Sequence, residues 1–130
     1  MTITVKVDVS KGLKRFGRIR KEKLNQVKNA VKSAGFVADR NAKKLAPVDT
    51  GRLRASIHPE FKDTASFTYA VPGVGTFSGK LDEKPKNDFS VIIGSSVSYA
   101  EKQEKKHKFL ETGARIAERS FNNDLQRIFK

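Results

Sequence analysis

An apolar stripe repeating at three, four and seven residues runs through Leu13, Phe16, Leu24, Val27, Ala30, Val31, Ala34, Ala38, Ala42 and Leu45, and a proline stands two residues beyond its end. That junction constrains the fold more than any other stretch. The stripe predicts one helix that Ser10 can cap, either continuous or loosened near Gly17. Unbroken, at about 1.5 Å per residue, it is about 50 Å long, enough to cross a small protein or to project toward another subunit. Pro47 lacks a backbone N–H and restricts Ala46, so the helix stops there. In the segment APVDTGRLRASI, Ala46 to Ile57, Asp49 and Thr50 supply side-chain hydrogen bonds to nearby backbone and Gly51 tolerates positive φ, which together make a tight corner. Beyond it Leu53, Ala55 and Ile57 alternate with Arg52, Arg54 and Ser56, the period of a half-buried strand. Nothing in this element is a nucleophile, a base or a metal ligand.

The remaining elements follow from the same periodicities. Thr2 to Val9 alternates as a strand, with Ile3, Val5, Val7 and Val9 on one face. Ser66–Val71 and Asp88–Ser95 are rich in aromatic and β-branched residues and read as further strands. Between them, residues 72–87 carry Gly73, Gly75, Gly79, Pro72 and Pro85 among charged residues, which predicts a flexible loop with a hairpin tip at its glycines. The GVG there lacks the spacing and context of a nucleotide-binding fingerprint. After a polar connector, EKQEKKHK, a second stripe through Phe109, Leu110, Gly113, Ile116, Ala117, Phe121, Leu125, Ile128 and Phe129 predicts a C-terminal helix. The order implies an α+β fold, a small antiparallel sheet packed by a long N-terminal helix and a C-terminal helix. Residues 1–130 are expected to form one domain.

Charge is the strongest compositional signal. The chain is +13, and its first 46 residues hold thirteen Lys or Arg against three carboxylates, so ten of those net charges fall in the first third. Lys14, Arg15, Arg18, Lys21, Lys28 and Lys32 are placed to share the outer half of the first helix, as an interface with an acidic neighbour, a phosphate-tracking face or a solvated surface. Cysteine is absent, which excludes disulfide, thiolate and cysteine–zinc chemistry. No apolar run reaches a membrane span, and the N-terminus does not open on a signal-like apolar block, so use in cytoplasm or release from it is expected. His58 reads as an exposed strand residue before Pro59 and His107 as a connector residue. No repeated His, Asp and Glu spacing marks a metal site, and no G-x-S-x-G surrounds a serine. The expectation is a protein with no enzymatic activity and no cofactor.

The corner sequence after a basic helix, then a strand ending IIGSSVSYA, a glutamate in YAEKQE, and KFLETGARIAE opening the last helix, together resemble the phage tail-completion or head-tail joining proteins, also described as tail components or minor capsid proteins. The likeness runs from about Leu13 to about Phe121 in the same order. Pro47, Val48, Asp49, Thr50, Gly51, Leu53, Ser56 and Ile57 match the first motif, and Tyr99, Ala100, Glu104, Phe109 and Leu110 the second. This chain departs from the pattern at Lys105 and Lys106, where a Gly-Thr pair is usual, and at Lys108, where proline often precedes the phenylalanine. The resemblance implies a structural assembly protein of long-tailed phages or prophages, a ring-like homo-oligomer in the neck or upper tail. Its implied partners are neighbouring connector and tail proteins and, by contact without sequence preference, packaged double-stranded DNA, with no membrane. Its implied location is the virion, after assembly in the host cytoplasm. The competing reading, from charge alone, is a basic DNA-binding module without sequence specificity, since no helix-turn-helix, zinc finger or aromatic RNA-binding strand appears.

Overall fold

The computed structural model describes residues 3–8, 21–47, 51–64, 66–81, 83–86 and 88–129, with residues 3–8 and Lys21 traced by their backbone. The elements are β1 (Ile3–Asp8), α1 (Lys21–Leu45), α2 (Arg52–Ser56), β2 (His58–Glu60), β3 (Thr68–Val71), β4 (Gly75–Ser78), β5 (Ser90–Ser95), α3 (Ala100–His107) and α4 (Phe109–Ile128). The fold is α+β. A three-stranded antiparallel sheet has the order β1-β5-β2, with Ile3 opposite Ser95 and Glu60 opposite Ile92. A separate hairpin pairs β3 with β4, Thr68 opposite Ser78. The expected helical stretch before Lys21 lies outside the described residues.

The long helix and the C-terminal helix pack on each other and on the sheet. Ala30, Ala34, Ala38 and Ala42 form an i, i+4 row of small side chains on α1, all buried. Gly113, Ala114 and Ala117 on α4 are buried as well. A Cβ added at Gly113 would stand 2.7 Å from the Ala38 carbonyl oxygen and 3.0 Å from the Ala42 nitrogen, so the two backbones touch and glycine alone fits without a shift. Val27, Val31, Ile57, Val91, Ile93, Phe109, Leu110, Phe121 and Leu125 belong to the same core. On the sheet side, Gly35 admits the edge of Phe61, whose ring would lie 2.8 Å from a Cβ there.

Several expectations from sequence are corrected. The alternating segment after the corner is not a strand: Arg52–Ser56 is a helical turn, and the strand is only His58–Glu60. Leu53, Ser56 and Ile57 are buried, an i, i+3, i+4 set that fits a helical turn, whereas strand alternation would bury Leu53, Ala55 and Ile57 and turn Ser56 to the other face. The Ser56 hydroxyl donates to the Leu53 carbonyl at 2.7 Å, a local bond that favours the turn. Within residues 72–87, Gly75–Ser78 pairs as the strand β4, and Gly79, Leu81 and Pro85 are buried, while most of the other described residues there are exposed. Its GVG does sit at the hairpin tip, where Gly73 and Gly75 have φ of 78° and 140°. The polar connector is largely the helix α3, with Glu101 and Lys105 paired one turn apart. His58, expected at the surface, is 1% exposed.

Candidate functional site

The corner motif meets the IIGSS strand inside the molecule. Gly51 takes φ 79°, a left-handed conformation, and its carbonyl receives the Ala55 N–H at 2.9 Å, which starts α2. The helical turn then delivers Leu53, Ser56 and Ile57 to the interior. Ser56 uses its proton on the Leu53 carbonyl, so it accepts from the Ser95 hydroxyl at 2.5 Å. Ser95 in turn accepts the Val97 N–H at 3.1 Å. The corner motif and the IIGSS strand are thus stapled by a buried bond between residues 39 apart in sequence. Pro47 is half-buried just beyond α1, and the guanidinium of Arg54 donates to the Ala46 carbonyl at 3.2 Å. Val48, Asp49 and Thr50 lie outside the described residues.

Beside that staple is a polar cluster that draws together distant parts of the chain. His58 and Glu60 are two apart on β2, so they project from the same face. His58 Nδ1–H donates to the Ser56 carbonyl at 2.9 Å, and His58 Nε2 is hydrogen-bonded to Glu60 Oε2 at 2.7 Å. The same carboxylate oxygen accepts the Leu81 N–H at 2.8 Å, which ties the segment after β4 to the sheet. Glu60 is wholly buried, and its Oε1 has no hydrogen-bond partner among the described residues. The imidazole stacks on Phe67 at 3.7 Å between centroids, and the series continues through Tyr69 to Phe77. Arg52 closes it, its guanidinium 4.3 Å over the Phe77 ring. The H-x-E spacing was the available sequence signal for this pair, obscured by the proline between its members.

The second motif is a helix start. Tyr99 precedes α3, and its carbonyl accepts the Gln103 N–H, while Ala100 is buried. Glu104 reaches across the break between α3 and α4 to accept two amides at the start of α4, Leu110 N–H at 2.7 Å and Glu111 N–H at 3.2 Å. Phe109 and Leu110 are fully buried behind it. Lys108, where the resemblance leads one to expect proline, has φ 47°, which a proline ring fixed near about −65° does not reach.

The basic face is partly within view. Lys14, Arg15 and Arg18 lie outside the described residues, and Lys21 is placed by its backbone alone. Lys28 is half-exposed and pairs with Asp88 at 3.5 Å; Lys32 is exposed. Both line a groove of about 470 Å³ with Asn25, Asn29, Phe61, Lys62, Asp63, Asp88 and Ser90. Further along α1, Arg40 and Lys44 are exposed too, and their spacing in multiples of four from Lys28 and Lys32 was the signal that places them on the same ridge. Asp39 is drawn inward instead: burial pushes its carboxyl above the ordinary range, against the opposing pull of Lys43 at 3.2 Å. Among the described residues no set of three or more His, Cys, Asp or Glu is arranged to hold a metal ion, and no helix is long and apolar enough to cross a membrane.

A family model described as "Bacteriophage HK97-gp10, putative tail-component" matches residues 10–113. No curated protein and no solved structure matches the chain.

Proposed function

The chain belongs to the HK97-gp10-like family of phage structural proteins, and from that membership we propose that it is a head-tail joining subunit, a homo-oligomeric ring component of the neck or upper tail of a long-tailed phage or prophage, without catalytic activity. The observation that carries this reading is the family match over residues 10–113, which takes in both motif segments. The geometry supports it. Gly51, Leu53, Ser56, Ile57, Glu104, Phe109 and Leu110 serve backbone conformation, capping or core, the use expected of a scaffold that presents surfaces to neighbours. A ring also brings together copies that each carry +13. Its assembly is therefore expected to strengthen with ionic strength or with an anionic neighbour.

Complementation of a phage lacking the gene tests the role. Loss of the protein is expected to leave filled heads and finished tails unjoined in micrographs, and joined, infectious virions in its absence would refute the reading. Negative-stain images and native mass spectra of the purified chain at low and high salt test the ring separately.

A further inference from the structure

We propose that the outer ridge of α1, formed by Lys28, Lys32, Phe36, Arg40 and Lys44, is a docking surface for the phosphate backbone of duplex DNA. These residues recur every four positions, so they form one oblique row along the helix. Lys32, Phe36, Arg40 and Lys44 each follow by two residues a member of the buried alanine row, Ala30, Ala34, Ala38 and Ala42. Two residues are about 200° of helical rotation, so each of these four lies across the helix from the alanine it follows, and the row drifts around α1 by about 40° at each step. At about 1.5 Å per residue it runs for about 24 Å, with successive positions about 6 Å apart.

The ridge is of one sign. Lys32, Arg40 and Lys44 are exposed and have no carboxylate partner among the described residues. The acid nearest in sequence, Asp39, is turned inward and paired with Lys43. Lys62 extends the positive side laterally at the groove that Lys28 and Lys32 line, where Asp63 and Asp88 also stand and Lys28 engages Asp88. A second copy of this chain is a poor match for the ridge itself, because it offers 14 Asp and Glu against 27 Lys and Arg and so few free carboxylates to pair with the row. A polyanion of regular spacing is the complementary partner, and its binding is driven by release of condensed counterions. Phe36, 59% exposed, leans on Phe61 with ring centroids 5.9 Å apart, so it shields a neighbouring ring and needs no apolar pocket from the partner. This surface does not depend on the joining role and is tested apart from it.

The test is fluorescence anisotropy of a labelled duplex of about 30 base pairs with the purified full chain across a salt series. The triple variant Lys32→Gln, Arg40→Gln, Lys44→Gln is expected to bind at least about tenfold more weakly, with the log–log salt slope reduced by about three. A charge-matched control, Lys102→Gln, Lys106→Gln, Arg119→Gln, is expected to lose much less, and both variants to melt like the parent. Phe36→Ala is expected to stay within about twofold of the parent. No duplex binding by the parent, or equal losses in the two triples, would overturn the proposal. So would a large loss in Phe36→Ala, which would make the contact depend on an aromatic ring and not on phosphate, or polyglutamate of matched charge competing as well as the duplex, which assigns the ridge to an acidic protein.

Discussion

Where α4 crosses α1, the atoms in contact are methyl groups and bare backbone; where β2 meets β5 and the Gly79–Leu81 segment, they are hydroxyls, an imidazole, a carboxylate and amides. Both contacts are buried, but they resist change differently. The helix contact depends on shape, with backbones so close that one added carbon collides with a carbonyl. The strand contact depends on directed bonds, so a change of size matters less there than the loss of one partner while the other stays buried. The family motifs sample both regions: Phe109 and Leu110 belong to the apolar core, Ser56 to the polar seam.

Substitutions can break this contrast or sharpen it. The largest effect is expected at Gly113→Val, a loss of about 3 kcal/mol or more, because neither Ala38 nor Ala42 can yield its backbone. Gly113→Ala sharpens the point through its sign. At an exposed helix position the same change gains about 1 kcal/mol, whereas here thermal melts are expected to show destabilisation. A rise in melting temperature would mean that the helices do not approach this closely.

Next in size is Glu60→Ala, expected to cost about 3 kcal/mol because it strands the Leu81 N–H and the His58 ring in the interior. Glu60→Gln keeps an acceptor and is expected to recover most of that loss in urea unfolding. Equal destabilisation by the two would show that the carboxylate matters for its volume and not for its bonds. Smaller again is Ser56→Ala, about 1 to 2 kcal/mol, since it leaves the Ser95 hydroxyl without its acceptor. The double variant Ser56→Ala, Ser95→Ala is expected to cost clearly less than the sum of the singles, and strict additivity would argue against a direct bond.

The smallest effect is one of pH, at the boundary between the regions, where Asp39 on α1 lies within electrostatic reach of His58. Burial raises its carboxyl from the ordinary 3.8, so the folded chain holds that proton more tightly than the unfolded chain does. The resulting stabilisation is complete below 3.8 and is lost as pH rises through the raised value. Melting temperatures of the parent relative to Asp39→Asn are therefore expected to fall with rising pH across that window. A flat difference would place Asp39 in water.

The helices were legible because their periodicity extends over many residues. From Val27 to Ala42 and from Phe109 to Leu125, every position of the apolar stripe is buried except Ile116, which is half-buried. The corner was harder. Over Leu53–Ile57 the window is too short to separate a period of two from one of about 3.6, and the bond from Ser56 to the Leu53 carbonyl selects the helical turn. Residues 72–87 looked unstructured because glycines, prolines and charges dominate them, yet β4 pairs with β3 there and Gly79 and Leu81 pack inward. Those contacts are made with Ser96, Tyr69 and Glu60, none of them adjacent in sequence.

By itself, then, the sequence determined the α+β class, the two amphipathic helices, the stop at Pro47, the concentration of positive charge and the family motifs, because each of these follows from local chemistry or local spacing. Tertiary structure alone decided that Gly113 faces Ala38 and Ala42, that Ser56 meets Ser95, that His58 is buried against Glu60, and that Glu104 caps α4. Partner choice is a property of three-dimensional proximity. A side chain's burial and hydrogen bonds depend on which distant segment arrives beside it, and local periodicity carries no record of that arrival.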